Sequence, residues 1–231
     1  MKRIGLIGGV SWESSVEYYR IINQTTQALL GKAHSCDCLL DSFDFEEVRT
    51  LQYEDRWPEL AQRLIEKAQL LEKGGAELLL ICSNTLHKMS EEVQGQIQIP
   101  IYHIAEATAL AIQEQGLHTV GLLGTRFTMK EDFYKLHLRK AGISVLVPAE
   151  EEMALVNDII YNELVKGQIK EESRVVYQQV IAQLEQKGAQ GVILGCTEIP
   201  LLIKPEHSPI PVFDTTYIHA TGAVKKALSL A

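Results

Sequence analysis

Apolar residues along this chain follow two rhythms. Short unbroken runs such as "IGLIG" (4–8), "LLLIC" (78–82), "VGLLG" (120–124) and "VILGC" (192–196) read as strands buried on both faces. Between them lie longer stretches whose apolar positions recur three and four residues apart, the signature of helices packed on a sheet. The pattern predicts strands near 2–8, 36–43, 77–82 and 100–103, then 118–124, 143–147, 190–195 and 211–213. It predicts helices near 12–30, 58–73, 85–96, 129–141, 151–166, 171–187 and 216–229. Pro58 at the first turn of the second helix and Gly74-Gly75 just past its end mark both of its boundaries.

The punctuation occurs twice. "RIGLIGG" (3–9) matches "TVGLLGT" (119–125), setting Gly5 on Gly121 and Gly8 on Gly124, 116 residues apart. "GGAELLLIC" (74–82) matches "KGAQGVILGC" (187–196), and Cys82 falls on Cys196 at an offset of 114. "IPIYHI" (99–104) matches "IPVFDT" (210–215) at an offset of 111. Three matches in one order with so long a period indicate a duplicated domain rather than a solenoid. The expected fold class is therefore α/β: two similar Rossmann-like domains, each a parallel sheet flanked by helices, related by pseudo-twofold duplication. Ligands of open parallel sheets sit beyond the carboxyl ends of the strands. Cys82 and Cys196 each close a strand at that edge, and under such symmetry both point into one interdomain cleft.

Composition narrows the class of partner. The chain has 231 residues, 46% apolar and 23% charged, ordinary values for a globular protein with a sizeable core. Its net charge of −8 disfavours nucleic acid and anionic membranes, and no basic cluster with interleaved aromatics offsets it. The run after Met1 breaks at Gly8-Gly9 and reads as a first strand rather than a signal peptide; no run reaches bilayer-spanning length. Four cysteines without a secretory signal point to a reducing, cytoplasmic setting, where thiols serve packing or chemistry.

A lone cysteine at a strand end is most often packing. Two at equivalent places, followed by Asn84 and Thr85 in one half and by Thr197 in the other, suggest a site. A thiolate on one side of a carbon and a thiol on the other can take a proton from one face and return one to the opposite face. Helix N-termini just beyond the cysteines are expected to favour the thiolate. Asn84, Thr85 and Thr197 offer donors for a carboxylate, whose binding eases loss of the α-proton; as simple caps they would look the same. For a ligand with a second carboxylate, which the family resemblance given next implies, this acidic protein also needs local positive charge, and Arg49 and, second, Arg126 are the candidates.

The motifs "IGLIGGVSWESS", "CSNTLHK", "LLGTRFTM", "GCTEIPLL" and "PVFDT" resemble, in order and over essentially the whole chain, the aspartate/glutamate racemase family and its aspartate racemase branch. The resemblance implies two α/β domains, 1–103 plus 214–231 and 104–213, with the site in the cleft between them, and a homodimer. It implies racemisation of aspartate, with glutamate a further substrate, by two bases without pyridoxal phosphate or other cofactor. The acid and base roles fall on Cys82 and Cys196. Carboxylate-binding roles fall on Asn84, Thr85 and Thr197, with Val10 and Ser11 nearby; Arg49, in an Arg-Thr pair, matches a reader of the side-chain carboxylate. Lys166 sits one residue beyond the place of a family lysine. The chain lacks the loop aspartate and the histidine after Cys-Thr of glutamate racemases, and Glu198 follows Thr197.

Rival readings are a maleate-type cis–trans isomerase, a non-catalytic amino-acid sensor, and a redox dithiol. "HSCDC" (34–38) sets His34, Cys36 and Cys38 on one strand face but lacks zinc-site spacing, so no metal is expected. Gly5, Gly8 and Gly9 lack the spacing of a dinucleotide loop. Trp12, Tyr18 and Tyr19 read as packing residues.

Overall fold

The structure, a computed structural model, describes residues 1–230 and divides into two compact units. The first comprises Met1–Ile104 together with the chain from His219 onward; the second is Ala105–Ile218.

In the first unit the order is β1 (Ile4–Gly8), α1 (Trp12–Leu30), β2 (Cys38–Ser42), α2 (Phe45–Tyr53), α3 (Trp57–Lys73) and β3 (Leu78–Ile81). A 3-10 helix (Thr85–Met89) and the short α4 (Ser90–Gln94) follow, and α5 (Ile104–Glu114) starts on the unit's last residue. The sheet is parallel, in the order β2-β1-β3, and a single bridge from Leu79 to Ile101 extends it beyond β3. Side chains alternate across a strand, and both faces of the central strands are buried. Ile7, Leu79 and Ile81 join the core under α2 and α3 with Val48, Leu60 and Leu64. Ile4, Leu6, Leu78, Leu80 and Cys82 join the opposite core with Tyr18 and Ile22 of α1 and with Ala220 and Val224. The period of two thus assigns Cys82 to the α1 side.

In the second unit come β4 (Thr119–Gly124), α6 (Arg126–Lys130), α7 (Asp132–Lys140), β5 (Ser144–Leu146) and α8 (Glu150–Asn162). A 3-10 turn (Leu164–Lys166) leads to α9 (Glu171–Gln186), β6 (Val192–Gly195), α10 (Ile199–Leu202) and, after a second turn at Pro205–His207, β7 (Val212–Asp214). The last helix, α11 (Thr215–Ala227), begins here and ends in the first unit. Its four parallel strands run β5-β4-β6-β7. With the Ile101 bridge standing for β7, the two sheets have the same strand order, as the internal repeat requires.

Several elements differ from expectation. The helix expected over 85–96 is a 3-10 helix and a five-residue α-helix, and the strand expected over 100–103 is one bridge. The helix expected at 129–141 starts three residues earlier and breaks at Glu131, whose extended backbone separates α6 from α7. Besides the single-turn α10, two helices lie outside the predicted ranges. α2 is short and mostly charged, so its period is weak, although Asp44 caps it by accepting from the Glu46 N–H. α5 is alanine-rich and apolar on most sides, which blurs a helical stripe. Among the packing residues, Tyr18 is buried as expected, but Trp12 and Tyr19 are 65% and 54% exposed.

Candidate active site

Both cysteines emerge at the carboxyl end of an inner strand. In the first unit the Cys82 N–H donates to the Ile7 carbonyl (2.9 Å), and the Ser14 hydroxyl reaches the Cys82 carbonyl (3.4 Å). Ile7 and Ser14 flank the loop that holds Val10 and Ser11, so those two residues lie beside the strand end that bears the thiol. Gly9 makes the loop's tight turn at φ +85°; a Cβ there would fall 2.2 Å from the Phe43 carbonyl oxygen, so only glycine fits. The Gly9 N–H donates to Ser15 Oγ (2.7 Å), and that hydroxyl donates to the Ser11 carbonyl (3.1 Å), which fixes the loop against the start of α1. Asn84 and Thr85 follow Cys82 and are buried with it.

In the second unit β4 and β6 approach so closely at their carboxyl ends that side chains are excluded. A Cβ on Gly124 would lie 2.7 Å from the Gly195 carbonyl oxygen, and one on Gly195 would lie 2.7 Å from that of Leu123. Cys196 follows directly, 8% exposed. Its thiol donates to Glu198 Oε2 (2.9 Å), and the Thr197 hydroxyl donates to the same oxygen (2.8 Å). Glu198 is itself only 4% exposed. Thr215 anchors the strand from behind, donating to the Leu194 carbonyl (2.9 Å).

Neither thiol is acidified. Burial pushes the Cys82 thiol above its ordinary value. At Cys196 burial acts first, then the charge of Glu198 and its hydrogen bond; the Glu198 and Thr197 backbone N–H groups pull the other way and are outweighed. The expected helix N-termini are one 3-10 turn after Cys82 and a four-residue helix after Cys196, too short to carry much dipole.

The basic candidates occupy distinct elements. Arg49 lies on α2, bound to Glu46 Oε2 (3.0 Å), its guanidinium 5.7 Å from the Tyr53 ring centre. Arg126 is exposed at the start of α6, its N–H on Asn157 Oδ1 (3.0 Å) and its guanidinium over Phe127. Lys166 is exposed at the end of the 3-10 turn that packs on α10, just beyond the Cys196 segment. Lys88 stands 3.9 Å over the Trp57 ring. His34 and Cys36 precede β2, which Cys38 opens, while Cys36 and Cys38 pack against the same core. Among the described residues no group of three or more His, Cys, Asp or Glu could hold a metal ion, and no helix is long and apolar enough to cross a membrane.

The sequence left unremarked a histidine network behind Cys82. The Ile104 N–H donates to His87 Nε2 (3.2 Å), so His87 carries its proton on Nδ1 and gives it to the Ser83 carbonyl (2.7 Å). His219 on α11 donates from Nε2 to the Tyr102 carbonyl (2.6 Å) and accepts the Tyr18 hydroxyl on Nδ1 (2.7 Å). Burial lowers His219 to about 4, so it is neutral. Glu198 was equally unassigned. A carboxylate two residues past a strand-terminal thiol was the available signal for it.

Comparison with known proteins bears on this arrangement. The profile of the Asp/Glu/Hydantoin racemase family matches residues 7–223. The broad specificity amino-acid racemase RacX of Bacillus subtilis is 25% identical over 229 residues, 98% of either chain. A crystal structure from Yersinia pestis, of a protein assigned to the Asp/Glu racemases, superposes with a TM-score of 0.92 at 48% identity, covering 99% of this chain and 100% of that one. That of an aspartate racemase homologue from Pyrococcus horikoshii OT3 gives 0.85 at 36% identity, covering 99% and 100%.

Proposed function

The chain belongs to the Asp/Glu/Hydantoin racemase family, and from that premise we propose that it interconverts L- and D-aspartate by two-base proton transfer between Cys82 and Cys196. The single observation that carries this reading is the equivalence of the two cysteines. Each ends the strand next to the centre of a sheet with the same strand order, and each is followed by buried hydroxyl or amide groups. A reaction whose two directions are mirror images calls for one such group on each side of Cα.

In this scheme one sulfur removes the α-proton as thiolate while the other, as thiol, returns a proton to the far face. Asn84, Thr85 and Thr197 hold the α-carboxylate, with Val10 and Ser11 shaping that end. Charge that develops on the carboxylate as Cα loses its proton is met by fixed donors, which lowers the barrier without solvent reorganisation. Arg49 reads the side-chain carboxylate, and Arg126 and Lys166 contribute positive charge around it. The preference for aspartate over glutamate is supported by the likeness to the aspartate racemase homologue; RacX is broad in specificity, so glutamate remains a second substrate to assay. No pyridoxal phosphate is required, and the working unit is a cytoplasmic homodimer.

The test is a chiral assay of both aspartate enantiomers in heavy water without added cofactor. The wild type places deuterium at Cα as it racemises, whereas Cys82→Ala and Cys196→Ala do neither. Near wild-type turnover in either single variant removes the two-thiol mechanism. Isomerisation of maleate without α-exchange, or ligand binding without turnover, replaces the racemase reading altogether.

A further inference from the structure

The two thiols are in unequal surroundings. Among the described residues, no carboxylate contributes to the burial-driven rise at Cys82. Cys196 instead donates a 2.9 Å hydrogen bond to Glu198, whose Oε2 also accepts from Thr197. All three residues are buried. The convergence of two donors on one oxygen marks that oxygen as an acceptor, placed to receive the proton of the Cys196 thiol. Tyr177 stands close to this group, raised well above its ordinary value by burial first and then by its acidic neighbours Cys196, Glu198 and Glu163; Glu163 is held by Ser173 and Lys170.

We propose that Glu198 is the proton store for Cys196: the resting site holds two neutral thiols and keeps its negative charge on the Glu198 carboxylate. This inference rests on the racemase reading and deepens it. When Cys196 acts as base, its S–H proton passes to Glu198 Oε2; the S–H bond breaks and an O–H bond forms. The thiolate then takes the α-proton and becomes a thiol again. Cys82 gives its own proton to the far face and is left as thiolate. Across that turnover the site loses no charge: carboxylate and two thiols become carboxylic acid, thiol and thiolate. In the opposite direction the Cys82 thiolate takes the α-proton, the Cys196 thiol donates, and Glu198 restores the sulfur's proton. The arrangement solves the difficulty that burial disfavours either sulfur as a resting anion. Glu198 acts through Cys196, so it is a positioning and proton-holding residue rather than one that touches substrate.

A structural role and a proton-holding role part company in isotope effects. Because the equilibrium constant of racemisation is one, any substitution lowers kcat/KM equally for the two enantiomers. The step made difficult nevertheless differs. Without Glu198, transfer at Cys196 limits the rate, so the effect of deuterium at Cα grows for the enantiomer deprotonated by Cys196 and shrinks for the other.

The experiment measures kcat/KM and the Cα-deuterium effect for L- and D-aspartate in the wild type, Glu198→Gln and Glu198→Asp, with thermal midpoints alongside. Glu198→Gln is expected to lose roughly 100-fold or more in kcat/KM, the usual scale of acid–base assistance, with the isotope effect rising for one enantiomer only. Glu198→Asp, which keeps the carboxylate one methylene short, recovers part of the rate with the same one-sided change; it carries the test alone if Glu198→Gln does not fold. A kcat/KM within threefold of wild type in Glu198→Gln, or isotope effects that move together for the two enantiomers, overturns the proton-store role and leaves the two-thiol reading standing. Full turnover in Cys196→Ala overturns both.

Discussion

Acidification is expected to unfold the first unit partly through one side chain, His219. Its ring is fully buried, its Nε2–H is committed to the Tyr102 carbonyl and its Nδ1 to the Tyr18 hydroxyl. In the unfolded chain the imidazole takes up a proton near 6.5, whereas in the fold it does so only at about 4. Between those values the unfolded state binds more protons, so stability falls with pH; the contribution is intact above 6.5 and lost by about 4. At about 1.4 kcal/mol per pH unit the whole interval is worth roughly 3 kcal/mol, most of it gone by pH 4.5. Gln at this position can still donate to Tyr102 and accept from Tyr18, but it does not titrate. Urea unfolding followed by the fluorescence of Trp12 and Trp57, which both lie in the first unit, isolates the effect. Between pH 7.5 and 4.5 the wild type should lose roughly 2–3 kcal/mol more than His219→Gln. If the two proteins lose stability in parallel, the ring is not held neutral by its burial and the reasoning fails.

Two other outcomes follow from the site's surroundings. Gly195→Ala drives a methyl into the Leu123 carbonyl; with no side-chain end to yield, the strands must part, and a thermal melt should show a cost of about 1–3 kcal/mol together with loss of turnover. Arg49→Gln should raise the KM for aspartate about tenfold or more while changing kcat less, in line with loss of a charge-assisted bond worth roughly 1.5–3 kcal/mol; an unchanged KM in initial-rate kinetics would assign the side-chain carboxylate to another residue.

The sheets were legible because parallel strands buried on both faces leave continuous apolar runs, and because the chain states its pattern twice. Cys82 and Cys196 stood out for the same reason: repetition separates a site from a packing cysteine. Other features were not legible. α2, the element that carries Arg49, was hidden by Glu46, Glu47 and Arg49 themselves, whose charges dilute a nine-residue period. The surroundings of the thiols differ from expectation because apolar strands that end in polar residues predict helix N-termini, whereas the first unit has only a 3-10 helix there, Thr85–Met89. The partnership of Cys196 with Glu198 depends on a tight backbone turn that side-chain periodicity does not encode. His87 and His219 are joined through residues far apart in sequence, beyond the reach of any local pattern.

The paired glycines where β4 meets β6 have a bearing on protein engineering. Because a side chain on Gly124 would strike the Gly195 carbonyl and one on Gly195 the Leu123 carbonyl, a graft of the Cys-Thr-Glu turn onto a foreign parallel sheet must carry both Gly124 and Gly195 across adjacent strands. A recipient scaffold with even one alanine at that crossing would splay the hosts apart and aim the sulfur elsewhere.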